Sequence, residues 1–287
     1  MKPILVHVHV YYDYLWDELS QCIKNISGYS YDLYVTLPEG KEELQKKIKA
    51  EYPDCVIRFV PNLGFDIGPF VEVIKSVNLS DYSYVIKLHT KRDILRRDSL
   101  FWFYGARWRN ALLGFIRSSD SFNHVINLME SEPSIGMHGP SMAIINKYSD
   151  DNKAYKATAD FISRHNLPKR NYSFVGGAMF VVRSEVLNDV LSLNLSLNDF
   201  QDSDQTHNTC QLAHMIERFF GYAVYSQGYI IADCTTNPVI SKLIVIANVL
   251  RRFIFTSVFS FRVTRKNKFL VKFLHIPVLA IPLKKKQ

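Results

Sequence analysis

The sequence predicts an α/β fold over residues 1–241, a mostly parallel central sheet flanked by helices, and three observations point to it. Short β-branched, apolar runs alternate with segments of helical spacing through the first hundred residues. Two polar stretches, the glycine-bearing 62–69 and the cationic 89–93, directly follow such runs, where open parallel sheets bind their ligands. The chain is also 47% hydrophobic and 13% aromatic, enough to bury a core rather than stay unfolded.

The elements follow in order. Residues 4–10 read as a first strand, and 13–26 as a helix, with Leu15, Leu19, Cys22 and Ile26 on one face and Gly28 past its end. A second strand spans 31–37. Pro38 offers a helix start, and 39–52 follows with Leu44 and Ile48 one turn apart. Residues 55–60 form a third strand, 70–77 a short helix and Tyr84–His89 a fourth strand. Beyond it, helices are expected around Trp102–Arg109 and over 121–130, a short strand over 135–140, and polar surface helix and loop over 146–170. The run 174–182 reads as one strand through Gly176-Gly177, leading to a helix begun by Ser184. A helix over 209–220 and a last strand over 223–231 complete the domain. No internal repeat or low-complexity linker divides it.

The charge is unevenly placed. Of 35 Lys and Arg, 11 lie from Lys242 onward, where there is no Asp or Glu. The net charge of +8 therefore divides into a body of −3, with 24 basic against 27 acidic residues, and a tail of +11. A mildly acidic body argues against nucleic acid as a partner. The tail, residues 242–287, mixes cations with aliphatic and aromatic residues, and Arg251-Arg252 interrupt its apolar stretch. Arginines at mid-span are costly, so a basic amphipathic helix on a membrane surface is expected rather than a crossing helix. Four scattered cysteines, Cys22, Cys55, Cys210 and Cys234, show no metal spacing and suit a reducing compartment. The first residues read as strand and not as a signal peptide. A cytoplasmic protein, peripheral on the inner face of the cell membrane, is the expectation.

Several positions could carry chemistry. In the turn 62–69, Asn62 and Asp66 could grip a base or ribose, while Gly64 lets backbone approach a ligand. The same turn would equally serve as an Asx-capped connection. Lys87, His89, Thr90 and Lys91 end the fourth strand, and cations there could stabilise a departing diphosphate, with Trp108 and Arg109 nearby in a basic aromatic stretch. Gly176 and Gly177 could seat a substrate against backbone or mark a close strand–helix contact. Asp202 and Asp204 precede a helix on which His214 and Arg218 share a face, and Glu217 is expected to point elsewhere. These are candidates for a base and its companions. Sequences typical of zinc proteases, P-loop nucleotide hydrolases, serine hydrolases and dinucleotide-binding folds are missing.

The ordered segments His7-Val8-His9-Val10-Tyr11-Tyr12, Asn62 to Phe70, Tyr84 to Lys91, Trp108-Arg109, Ile135 to Pro140, Val175 to Phe180 and Leu212 to Arg218 resemble the rhamnan synthesis protein F family of bacterial cell-surface polysaccharide proteins. The resemblance implies a GT-A-like glycosyltransferase using a nucleotide-sugar such as dTDP-rhamnose, with a lipid-linked glycan as acceptor. A non-catalytic subunit binding sugar nucleotide or glycan in a membrane assembly complex is the alternative. Two departures bear on this choice. The expected Asp-x-Asp at the fourth strand end is replaced by His89-Thr90-Lys91, which leaves the use of Mg²⁺ or Mn²⁺ open. Thr209-Cys210-Gln211 stands where an acidic residue followed by Gly-Thr would be expected, so Asp204 and Asp202 become the nearest base candidates.

Overall fold

The computed structural model describes residues 2–91, 106–146, 152–203, 211–235, 238–254, 258–263, 268–274 and 276–282. Its first strand, β1 (Ile4–His9), lies inside the sheet and every residue of it is buried. That pattern belongs to a strand covered on both faces, which explains its near-continuous apolar character. A 3₁₀ turn then leads into α1 (Trp16–Ile23), which buries Trp16, Leu19, Cys22 and Ile23 at helical spacing. β2 (Tyr31–Pro38) runs parallel to β1. Pro38 closes that strand instead of opening a helix, and α2 (Glu42–Glu51) starts only after a turn at Gly40, whose φ is +81°. β3 (Val56–Val60), α3 (Ile67–Lys75) and β4 (Tyr84–His89) complete the parallel half.

Next come α4 (Ala106–Leu112), α5 (Ser119–Ser131), β5 (Ile135–His138), β6 (Ile144–Asn146) and α6 (Asn152–Arg164). The apolar run through Gly176-Gly177 is not one strand. It breaks into β7 (Ser173–Val175), which pairs with β6 in a separate ribbon, and β8 (Phe180–Arg183), which enters the main sheet. The break has a physical cause, because Gly177 takes φ +90° and Ala178 φ +46°, so the chain turns there. After α7 (Asn188–Leu191), α8 (Leu212–Ser226) runs through residues expected to be strand, and β9 (Ile230–Ala232) is short. Val224 and Tyr225 look strand-like, yet α8 buries residues around most of its circumference, including Phe219, Phe220 and Tyr222.

The main sheet has the order β3-β2-β1-β4-β8-β5-β9. β8 is antiparallel to both neighbours, while β5 and β9 are parallel to each other. This is the mostly parallel α/β class that the sequence predicts. Its topology brings the C-terminal ends of β1 to β5 and of β9, together with the start of β8, to one edge of the sheet.

The last segment differs from the expected single helix. α9 (Pro238–Phe253) is followed by a three-stranded antiparallel sheet of β10 (Phe259–Val263), β11 (Lys268–Phe273) and β12 (Ile276–Pro282). Among the described residues no helix is long and apolar enough to cross a membrane.

Candidate functional site

Register sets the floor of the site. His7 pairs with Lys87 and Tyr34, and His9 with His89 and Thr36. Side chains alternate along a strand, so these odd positions share one face and lay a polar stripe into an otherwise apolar sheet. His7, His9, Thr36, Lys87 and His89 are all buried. The Thr36 hydroxyl contacts His7 Nε2 and His9 Nδ1, each at 2.9 Å. Phe70 of α3 covers the stripe, with its ring 5.4 Å from that of His7 and 5.6 Å from Lys87 Nζ.

Asp66, at the start of α3, closes the open end. Its carboxylate accepts from Lys87 Nζ, and Lys87 also donates to the Ala178 carbonyl at 3.1 Å. His89 Nδ1 stands 3.2 Å from the same carboxylate oxygen but is not aligned to bond to it. Burial pushes the Asp66 carboxyl up, but the surrounding groups at His89, Lys87 and Lys91 overcome this and hold it well below the usual carboxylate range. Burial pulls His89 well below 6.5 against the opposing pull of Asp66, and Lys87 is the cation paired directly with Asp66. Burial also lowers Lys87, while Asp66 opposes that fall. His9 is brought down to about 4 by burial against the opposing pull of Asp66, and His7 falls well below 6.5 by burial and the nearby Lys87 charge.

The rim comes from the loops. Thr90 Oγ1 accepts from the backbone N–H groups of Tyr11 and Tyr12, at 2.9 and 3.1 Å, and so fixes the chain after β1. The two tyrosine rings meet edge to face at 4.9 Å and are half-buried. Lys91 is half-buried, and its carbonyl accepts from Arg109 at 2.8 Å. Arg109 is buried and bonded to Glu18 at 2.7 Å, so it positions Lys91 from below.

The loop around Asn62 is closed on itself and on a later segment. The Gly64 carbonyl takes the N–H groups of Ile67 and Gly68, Gly64 N donates to Gln201 O, and the Asn62 carbonyl accepts from Ser203 N. Leu63 and Asp202 form an isolated bridge. Gly64 has φ +70°, and a Cβ there would meet the Phe200 ring at 2.6 Å. Phe65 holds φ +56° while its N–H donates to Ser203 Oγ. Thus Asp202 lies beside the site, half-buried, whereas Asp204 falls outside the described residues.

The glycine turn supplies the opposite wall. A Cβ on Gly177 would lie 2.8 Å from Leu112 Cδ1 and 3.0 Å from Trp108 Nε1, and one on Gly176 would meet Ile145. Both glycines therefore permit close protein packing. Glu217 does not point away: its Oε1 accepts from Gly177 N at 2.7 Å. Positions three apart share a helix face as positions four apart do, so Glu217 sits beside His214. The His214 ring meets Phe65 edge-on at 5.5 Å. Arg218 is buried, donates to the His214 carbonyl at 2.7 Å and lies over the Phe174 ring.

The site thus joins Asp66, Lys87, His89, Thr90 and Lys91 to Gly177, Trp108, Glu217 and His214 at one sheet edge. His7, His9, Thr36 and Glu18 belong to its support and were not singled out from the sequence. The alternation His7-Val8-His9 beside Lys87-Leu88-His89 was the signal, since polar residues at every second position of buried strands must share a face. Among the described residues no group of three or more His, Cys, Asp or Glu is arranged to hold a metal. The donor set at the β4 end, amines and imidazole, does not suit a hard divalent cation.

A sequence profile described as RgpF, rhamnan synthesis protein F, matches residues 1–229. The uncharacterized protein WxcX of Xanthomonas campestris pv. campestris, in two strains, is 27% identical over 227 residues. That alignment covers 78% of this chain but 32% of WxcX, so the chain spans about a third of the length of the curated relatives it matches.

Proposed function

The chain belongs to the rhamnan synthesis protein F family, and on that premise we propose that its domain is a GT-A-like glycosyltransferase of bacterial cell-surface polysaccharide synthesis. The donor is a nucleotide-sugar such as dTDP-rhamnose, and the acceptor a lipid-linked glycan. The observation that carries this reading is the convergence, at the C-terminal edge of a parallel sheet, of an aromatic pair, a cation and a carboxylate. Tyr11 and Tyr12 suit a nucleobase, Lys91 the diphosphate, and Glu217 an acceptor hydroxyl.

In an inverting transfer the acceptor O–H would give its proton to the Glu217 carboxylate as its oxygen bonds to the anomeric carbon. The bond from that carbon to the diphosphate breaks, and the leaving charge collects at Lys91. Lys87, already neutralised by Asp66, acts through position: it ties α3 to the Ala178 turn. The residues described at the β4 end do not fit a divalent cation, so no step is routed through one.

The test is incubation of the protein and membranes with a panel of nucleotide-sugars, followed by mass spectrometry of the lipid-linked product. One donor should give transfer and also raise the melting temperature, by the equivalent of about 2.7 kcal/mol at a hundredfold excess over Kd. Glu217→Gln, which can still accept from Gly177 N, should keep donor binding and lose turnover by roughly a hundredfold or more. No donor stabilising a folded protein would sink the reading. The substitution of His89-Thr90-Lys91 for acidic residues favours a second reading, a non-catalytic subunit that binds sugar nucleotide or glycan. Binding without turnover, with Glu217→Gln indistinguishable from the parent, would select it.

A further inference from the structure

Beyond that reading, the C-terminal segment carries a surface of its own, outside residues 1–229 that define the family match. Fifteen large hydrophobic side chains are exposed among the described residues, and eleven of them fall between Val239 and Leu279. This concentration is unlike the scattered exposed apolar residues of an ordinary surface. On α9, Val239, Leu243, Ile246 and Leu250 recur every three or four residues, and Ile254 continues that spacing just past the helix end, so they form one stripe. Their exposures run from 42% to 65%, so the stripe is not folded onto the domain. Lys242 beside it is exposed as well. On β12, Ile276, Val278 and Leu279 are each at least half exposed, and a register shift sets Ile276 and Leu279 opposite Phe273 and Val271 on one face of β11.

We propose that α9 and the sheet β10–β12 dock on the surface of an anionic lipid bilayer, with the α9 stripe inserted at the headgroup–acyl boundary. Charge selects this occupant. From Lys242 to the last residue there are 11 Lys and Arg and no acid, so a second copy of the segment would bring like charge against like charge. An anionic leaflet supplies the missing counter-charge, and lysine stems reach outward while their apolar neighbours sink. No described helix is long enough to cross, so the segment lies on the bilayer.

The experiment is co-sedimentation of the full chain with phosphatidylcholine vesicles, with and without about one-third phosphatidylglycerol, alongside light scattering of the protein alone. Binding is expected only with phosphatidylglycerol, and roughly tenfold weaker for the double variant Ile246→Glu, Leu250→Glu, whose sites are exposed and remote from the domain core. Binding that the double variant leaves unchanged would overturn insertion of the stripe, leaving charge adsorption alone. Absence of binding by a folded protein would overturn the proposal outright. A dimer in solution, dissolved by the double variant without any vesicle binding, would assign the face to a second copy instead.

Discussion

Lys87 is a charged side chain with no exposure in the middle of a mostly parallel sheet, and its placement needs a reason. Removing a charge from water is expensive, and the cost is offset only by a partner with good geometry. Asp66 supplies that partner, and the Ala178 carbonyl a second acceptor. Both partners lie at positive-φ turns, since Phe65 before Asp66 has φ +56° and Ala178 itself +46°, each costing about 1 kcal/mol for an L residue. Such strain persists where surrounding structure fixes it, and the Lys87 ammonium is the link between the two turns. Lys87→Met should therefore destabilise the fold by about 3 kcal/mol, by leaving the Asp66 carboxylate without its cation. Adding Asp66→Asn should recover much of that loss. A urea double-mutant cycle measures this, and additive losses would mean that the pair is not coupled. The sequence contained the pair, yet residues 21 apart in the chain gave no sign of meeting until register and the α3 turn were known.

Among the elements, β1 to β4 were legible because each is a short run rich in β-branched, aliphatic or aromatic residues bounded by turn residues, although only β1 and β4 are buried throughout. β7 and β8 were not, since the run from Phe174 to Val182 is apolar throughout and turns only at Gly177 and Ala178. The end of α8 was misread for a related reason, because β-branched and aromatic residues serve a helix buried on several sides as well as a strand. Gly221 shows how tightly that helix lies on β7: a Cβ there would fall 2.1 Å from the Ser173 carbonyl oxygen. The turn before β8 allows a sharper test. Gly177→Ala would put a side chain at φ +90° and 2.8 Å from Leu112, so a loss of about 2 kcal/mol is expected. Thermal unfolding reads it, and a variant as stable as the parent would show that the turn relaxes. The Glu217 contact to Gly177 N joins α8 to this turn, which is how a helix from late in the chain reaches the β4 end.

At the scale of the whole molecule, the buried imidazoles make stability depend on pH. Burial lowers all four of His7, His9, His89 and His138, with His9 and His138 brought to about 4. In the unfolded chain each would take its proton near the ordinary value of 6.5. Below that pH the unfolded state binds more protons than the folded one, so stability falls with pH. Their contribution is complete above about pH 6.5 and is lost progressively as pH falls toward 4. Each group adds at most about 1.4 kcal/mol per pH unit. Urea midpoints from pH 7.5 to 4.5 should drop through this window, and His138→Asn should flatten the slope. A flat profile would mean that the rings are already charged in the fold.

The position of β8 between β4 and β5 has a consequence for synthesis on the ribosome. Once His89 has emerged, β3, β2, β1 and β4 can assemble, but the outer edge of β4 has no partner until residues 180–183 follow. At roughly 5–20 residues per second, that interval is on the order of ten seconds. Throughout it, a strand that is wholly buried in the finished protein presents open hydrogen-bonding groups, and Lys87 still lacks its second acceptor, the Ala178 carbonyl. The nascent chain therefore passes through a stage with an unprotected sheet edge, at which binding by a chaperone or mispairing with another chain would act.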